Sequence, residues 1–385
     1  MFMCYSCPYI IYVVSLIFCL VIELYKKQND VVKSIRLYCI FSYLIFLGCR
    51  GFIGWDWMSY YPFFLSLPVV GDVNYWEKLI GFEKGFVFFA SLSKSICNNY
   101  FALQLFVVAF YLYAVDKLLM RYARIYSLGF LVFLVMGGFA TQTDLLRNSI
   151  SIALFLLSIK YIESRKVKQY MLLNGIGLLF HTSSIVFFLL YYMLQRRYDR
   201  KLLMVLFLIG NIIFLLQIQY LKPVLSFLVS PIGGDVKYLV DLYFADNENA
   251  NFYGISIGYL ERLLTTSLFL IYYDRIIRSA KSNLIFLNLY VLYFISFFYF
   301  GEIRMVTLRF SNLFTCSYWI LYPALFCVIS LKNNKILFIL FVSFYSLFKM
   351  HGLSNLPIFK YNLFFFENLK ERYEQRKETS RIIDI

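Results

Sequence analysis

Ten mostly apolar stretches of about 18 residues govern what this chain can become. They lie near 8–24, 37–53, 100–119, 125–142, 145–162, 201–221, 257–275, 283–300, 311–331 and 335–350. A helix of that length crosses the hydrocarbon layer of a bilayer, where only helices and closed barrels satisfy their own backbone polar groups. The runs are long, aromatic and aliphatic, unlike the ten-residue alternation of barrel strands. Of the 385 residues, 61% are hydrophobic and 15% charged, against about 45–50% and about 25% in soluble domains. That excludes an ordinary soluble domain, and so much apolar surface excludes a disordered chain. The expectation is an all-α polytopic membrane protein with about 10–12 transmembrane helices.

Segment 170–194 breaks the pattern. It is apolar, yet basic on both flanks: Arg165, Lys166 and Lys168 before, Arg196, Arg197, Arg200 and Lys201 after. The positive-inside rule puts both flanks in the cytoplasm, which one crossing cannot do. A short hairpin or re-entrant pair with its tip near His181 does. Irregular backbone at that depth needs cover from protein or a wet cavity.

The formal net charge of +15 admits a nucleic-acid reading. Its distribution argues against one. Twenty of the 37 lysines and arginines fall in six short loops, at 25–36, 117–124, 160–168, 196–201, 274–281 and 332–335. The connections 51–84 and 222–256 are poor in base. The six basic loops are therefore expected in the cytoplasm, with the N-terminus and the loops 51–84 and 222–256 facing outward. The charge is mostly a topology signal, and no nucleic-acid partner is needed.

The organisation read here is a multi-pass domain over 1–350 and a polar tail over 351–385. The same count leaves the tail outside, although 349–385 carries seven basic residues against five acids. A surface helix near Phe364–Arg376 suits this stretch. The first segment, lacking a basic n-region and a small-residue cleavage site, reads as a retained helix. Eight scattered cysteines form no disulfide framework, and the lone Cys4–Cys7 CxxC has no second pair or nearby histidine for a metal. No metal or cofactor is expected. Nor is there a P-loop, a G-x-G-x-x-G or an H-E-x-x-H.

Chemistry must then come from the few polar groups at the outer ends of helices. Arg50 opens one cluster, running through Gly54-Trp55-Asp56-Trp57 to Tyr60. It reads as an interfacial aromatic belt with one solvated aspartate, or as a platform on which Trp55, Trp57 and Tyr60 stack on sugar rings. Glu83-Lys84-Gly85-Phe86 closes the same outer loop and leads into a half-buried segment at 85–97. Thr143-Asp144-Leu145-Leu146-Arg147-Asn148 opens a helix, with Thr143 as a candidate N-cap and Asp144 complementing the positive helix end. Arg147 either pairs with Asp144 or binds an anion, since a guanidinium fits phosphate bidentately.

His181 is one of two histidines. At the hairpin tip it is either a packing group or a proton acceptor with a suitable pKa. Glu302, Arg304 and Arg309 fall in a further outward connection, Gly301–Ser311. In a loop, the two arginines could reach one anion. Glu261 and Arg262, which start a helix, read as capping and pairing groups. Arg147, Arg304, Arg309, His181 and Asp56 all fall near the outward side, which suits a polyprenyl-diphosphate-linked saccharide.

These segments resemble the EpsG/Wzy family of polysaccharide polymerases. The pieces are G-W-D-W-x-x-Y at 54–60, E-x-G-F at 83–86, R-N-S-I-S-I-A at 147–153, L-F-H-T-S-S at 179–184 and L-R-F-S-N-L-F at 308–314. The family more often has Gln where Asn148 stands. The resemblance implies a metal-independent, membrane-embedded glycosyltransferase of the bacterial cytoplasmic (inner) membrane. It would transfer a growing glycan from polyprenyl diphosphate to a new lipid-linked unit in making O-antigen, capsule or exopolysaccharide, beside a flippase and a chain-length regulator. Arg147, Arg304 and Arg309 would hold the diphosphate. His181 or Asp56 would take the acceptor proton, and Trp55, Trp57, Tyr60 and Glu83 would meet sugar. The competing readings are a flippase or transporter of the same lipid and a membrane-bound acyltransferase using His181.

Overall fold

The computed structural model describes residues 5–26, 28–72, 82–229, 254–366 and 369–383. Most of the outward connection 222–256, part of 51–84 and Cys4 lie outside the described residues. Those described are helical throughout, with a single isolated bridge and no strand. The all-α polytopic expectation holds.

Five helical stretches have the length and apolarity to cross a bilayer: Cys7–Lys26, Asn29–Gly48, Tyr100–Tyr122, Tyr126–Asp144 and Lys332–Ser354. Three shorter apolar helices join them, Thr182–Met193, Asn283–Tyr299 and Cys316–Val328. Leu146–Glu163 matches the expected span at 145–162, but Arg147, Lys160 and Glu163 charge its ends. The expected ten to twelve spans are thus reached among the described residues only by counting short helices. At 201–221 the helix Arg200–Leu215 stops early, because Gln217 takes a positive φ of 50°, which a continuing helix excludes.

The chain divides into two units, Met1–Met193 with Ile329–Ile385, and Leu194–Val328. In the first, burial sorts the helices. Tyr126–Asp144 is 89% buried along its apolar window, whereas Lys332–Ser354 and Asn29–Gly48 are each 28% buried. The outer helices therefore offer large apolar side chains such as Phe18, Phe41, Ile45 and Phe344 to lipid. The buried helix is broken by a π turn, Leu134–Gly138, where Gly137 adopts φ 118°. A side chain there would be strained. Tyr43 caps the break by donating to the Gly138 carbonyl at 3.0 Å.

Two buried acids of this unit, Asp116 and Glu23, are satisfied, as burial demands. Arg36 donates twice to Asp116, at 2.7 and 2.6 Å, and Tyr126 Oη donates to the same carboxylate. The Glu23 carboxylate accepts from Tyr126 N and Ser127 N, which ties the first helix to the start of the buried one.

The doubled segment is a hairpin. Val167–Leu178 and Ile185–Met193 have 12 and 9 residues, about 18 and 14 Å of helix, too short for a layer of about 30 Å. His181 lies in the turn between them, ahead of the 3-10 turn Thr182–Ser184. The hairpin packs on Leu146–Glu163: Phe155 and Phe187 stack with ring centroids 4.1 Å apart, and Asn174 donates to Ser158 Oγ at 3.0 Å.

The C-terminal stretch packs into the first unit too. Gly51 N donates to Asn362 O and Phe364 N to Cys49 O. The expected surface helix runs over Leu369–Ile383. Its Arg376 is buried and donates to the carbonyls of Pro357 and Lys360. Residues 362–364 thus lie at the same end of the unit as 49–51, opposite the basic loop 25–36.

In the second unit, Asn283–Tyr299 packs against Arg200–Leu215, Arg304–Phe314 and Cys316–Val328. The Glu302 carboxylate accepts from Leu221 N and Lys222 N and caps Leu221–Val229. Buried Glu261 accepts from Thr265 Oγ1 at 2.7 Å and Tyr322 Oη at 2.8 Å. Arg262 donates to Tyr293 Oη and lies 3.8 Å from the Phe297 ring centroid.

Candidate active site

Two short segments clasp each other at the end of the first unit opposite the basic loop 25–36. Gly54 has φ +83°, and a Cβ there would sit 2.6 Å from Thr143 O. That approach lets Trp55 N donate to Asp144 Oδ1 at 3.3 Å and Asp56 N to Thr143 O at 3.4 Å. In return, Leu146 N donates to Asp56 Oδ2. Asp56 therefore caps the start of the helix Leu146–Glu163 by accepting from Leu146 N. The Thr143 expectation is corrected: its Oγ1 turns back to Phe139 O and donates to Asp144 Oδ2.

The cap fixes where Arg147 points. Arg147 Nη1 donates to Glu83 Oε2, and its guanidinium lies 4.6 Å from the Phe82 ring centroid. The local Asp144–Arg147 pair does not form, because Leu145, with φ −140° and ψ 41°, breaks the helix between them. Arg147 Nε is buried without a partner among the described residues.

Glu83 has a second duty. Its Oε1 accepts from Thr182 N at 3.2 Å, so one carboxylate holds both the arginine and the hairpin tip. Gly85 fits the same join: its N donates to Leu179 O, and a Cβ there would meet Leu179 at 2.6 Å. At the tip, Ser183 N donates to His181 Nδ1 at 3.1 Å. Nδ1 is thus an acceptor, and in neutral imidazole the proton sits on Nε2. Ser183 Oγ reaches Asn148 Oδ1 at 3.1 Å and His181 Nδ1 at 2.7 Å. Asp56, Glu83, Arg147 and His181 are therefore brought together by the fold.

The electrostatics separate their roles. Burial pushes the Asp56 carboxyl up to about 7; the Leu146 N–H bond opposes this, neighbouring Asp144 adds to it, and Arg50 and Arg147 pull the other way. Arg50 is buried, donating to the carbonyls of Leu47 and Gln142. A carboxyl so tuned exchanges a proton near neutral pH.

The aromatic cluster divides differently from the platform reading. Trp57 is buried between Phe52 and Tyr373, with ring centroids 5.0 and 5.6 Å away. Tyr60 is buried against Phe82 and Phe86. Both build the core under the site, and Trp55 alone of the three is half-buried. Arg304 and Arg309 belong to the second unit and sit on one helix, Arg304–Phe314. The expectation that a loop carries them is corrected: five residues of helix set them about 140° apart.

Four sequence pieces from 54 to 184 thus close on one constellation, and a model of the EpsG family matches residues 33–363. The chain belongs to the EpsG family. Neither a curated protein nor a solved structure matches it. EpsG membership supports a polymerase-type role in polysaccharide biosynthesis, glycosyltransferase-like in kind, carried out by a membrane protein.

Sequence reasoning did not assign roles to several residues of this EpsG constellation. Ser183 and Asn148 form its inner link. The shorter Asn148, where the family more often has Gln, still reaches the tip serine. Arg50 carried a usable signal, an arginine ending an apolar run with no acid beside it.

Proposed function

We propose that this chain polymerises polyprenyl-diphosphate-linked oligosaccharide repeat units at the outer face of the bacterial cytoplasmic membrane. The growing glycan leaves its lipid diphosphate and joins a new lipid-linked unit. The bond from the anomeric carbon to the diphosphate oxygen breaks, and one to the acceptor hydroxyl oxygen forms. The acceptor proton passes to a base, and lipid diphosphate departs. A flippase is the implied supplier of units to that face, and a chain-length regulator the implied partner.

The observation carrying this reading is the convergence of Arg147, Glu83 and the His181 tip at the end of the unit opposite the basic loops. A diphosphate leaving group needs charge stabilisation more than protonation. Arg147 supplies it from a half-buried site, and no step is assigned to a metal. Asp56, raised toward neutrality by burial, takes the acceptor proton. His181, whose Nδ1 already accepts from Ser183, offers Nε2–H to a substrate oxygen. Glu83 is a positioning residue, and Trp55 is the proposed sugar-stacking face. Arg304 and Arg309 keep a proposed anion-binding role on charge type alone.

A strain lacking the chain tests this. Single lipid-linked repeat units should accumulate in place of long polymer. Long polymer persisting at its normal level would reject the proposal.

A further inference from the structure

At the far ends of the two helices that frame the site lies a groove of about 480 Å³. Tyr113, Lys117, Met120, Arg121, Leu157 and Lys160 are among its lining residues. These come from Tyr100–Tyr122 and Leu146–Glu163, which pack together along their length. Lys160 is 13 residues beyond Arg147, about 20 Å along the helix axis. The groove therefore opens at the opposite end of the unit, among the basic loops 117–124 and 160–168.

Its charges are unbalanced in an informative way. Arg121 is neutralised by Glu163, donating to Oε2 at 2.8 Å, and Tyr122 Oη donates to the same oxygen. Among the described residues, no carboxylate pairs with Lys117 or Lys160. Each ammonium lies over a tyrosine ring, Lys117 over Tyr113 at 5.4 Å and Lys160 over Tyr161 at 4.9 Å. The groove thus presents two uncompensated positive charges at its mouth and an apolar wall of Tyr113, Met120 and Leu157. Cation–π contacts orient the ammonium groups without cancelling their charge.

The bland account is that lysines in the last turn of two helices complement the negative helix ends and mark the cytoplasmic side. That explains the charges but not a groove with an apolar wall beneath them. We propose that the groove binds the headgroup of an anionic phospholipid. Its phosphate lies between Lys117 and Lys160, and the start of an acyl chain lies on Tyr113 and Leu157. Basic pockets between membrane helices on the cytoplasmic side are suited to such headgroups. A helix pair clamped by lipid at this end is also held in register at the other, where Arg147 sits.

Thermal unfolding of the purified full-length chain tests this, titrated with phosphatidylglycerol, phosphatidylcholine or inorganic phosphate. Phosphatidylglycerol should raise the midpoint, and the other two should not. Lys117→Ala with Lys160→Ala should weaken the phosphatidylglycerol response about fivefold per lysine, from about 1 kcal/mol per charge. Leu157→Trp, which fills the wall and leaves the charges, should weaken it too and serves if the double variant fails to fold. An undiminished response in either folded variant would overturn the proposal. So would an equal response to phosphatidylcholine. Stabilisation by inorganic phosphate alone would assign the groove to a free anion and reject the lipid.

Discussion

Arg147→Lys is expected to cut polymer yield by about 100-fold or more while the chain reaches the membrane at its normal level. Lysine keeps the charge and loses the fork. It cannot hold Glu83 through a planar group that also lies over Phe82, as Arg147 does. A guanidinium meets a diphosphate bidentately, whereas an ammonium is a point charge. Loss of one preorganised donor at a developing oxyanion typically costs a factor of about 10²–10³. The stacked position over Phe82 also matters: the arginine is held before substrate arrives, so no side-chain ordering is left for the transition state. The measurement is the length distribution and yield of polymer against membrane protein level. Unchanged length and yield would remove Arg147 as a diphosphate ligand.

Asp56→Asn should separate stability from activity. In the folded chain Asp56 keeps its proton up to about pH 7, whereas an unfolded aspartate loses it near 3.9. Between those values the folded state binds the extra proton. The stabilisation from that proton is complete below about pH 4 and is lost as pH rises through about 7. Asparagine never ionises and can still accept from Leu146 N. The variant should therefore unfold several degrees higher than the natural chain at pH 8 and nearly together with it at about pH 4. Its polymerising activity should fall by about 10²-fold or more, the usual contribution of a positioned base. The natural chain should gain activity about tenfold per pH unit up to about pH 7 and then level off. A fully active Asp56→Asn chain would take the carboxyl out of the chemistry.

The spans of the first unit were legible because an uninterrupted apolar run of about 20 residues has few alternatives. The hairpin was legible for a different reason: only a return within the membrane reconciles basic flanks at 165–168 and 196–201. Pairings were not. Sequence spacing offers Arg147 the nearby Asp144, yet the break at Leu145 turns them apart and Glu83, 64 residues away, takes the arginine. Arg36 and Asp116, 80 residues apart, are likewise invisible until the helices pack. Trp57 and Tyr60 show the same limit. An aromatic run at an interface looks alike whether its faces meet sugar or, as in this chain, meet Phe52, Tyr373, Phe82 and Phe86. Arg304 and Arg309 read as loop residues of the outward connection Gly301–Ser311, but the helix Arg304–Phe314 begins immediately after Ile303. Gly54 and Gly85 were the more reliable markers. Each stands where one backbone presses on another: Gly54 meets Thr143, and Gly85 meets Leu179, joining the pieces at 83–86 and 179–184.

Purified chain in lipid vesicles, supplied on the outer leaflet with one polyprenyl-diphosphate-linked repeat unit and no nucleotide sugar, tests the central claim most directly. The predicted result is a ladder of lipid-linked products spaced by one repeat unit, with lipid diphosphate released once for each step. Movement of the unit across the bilayer without any elongation would contradict it and assign the chain to transport.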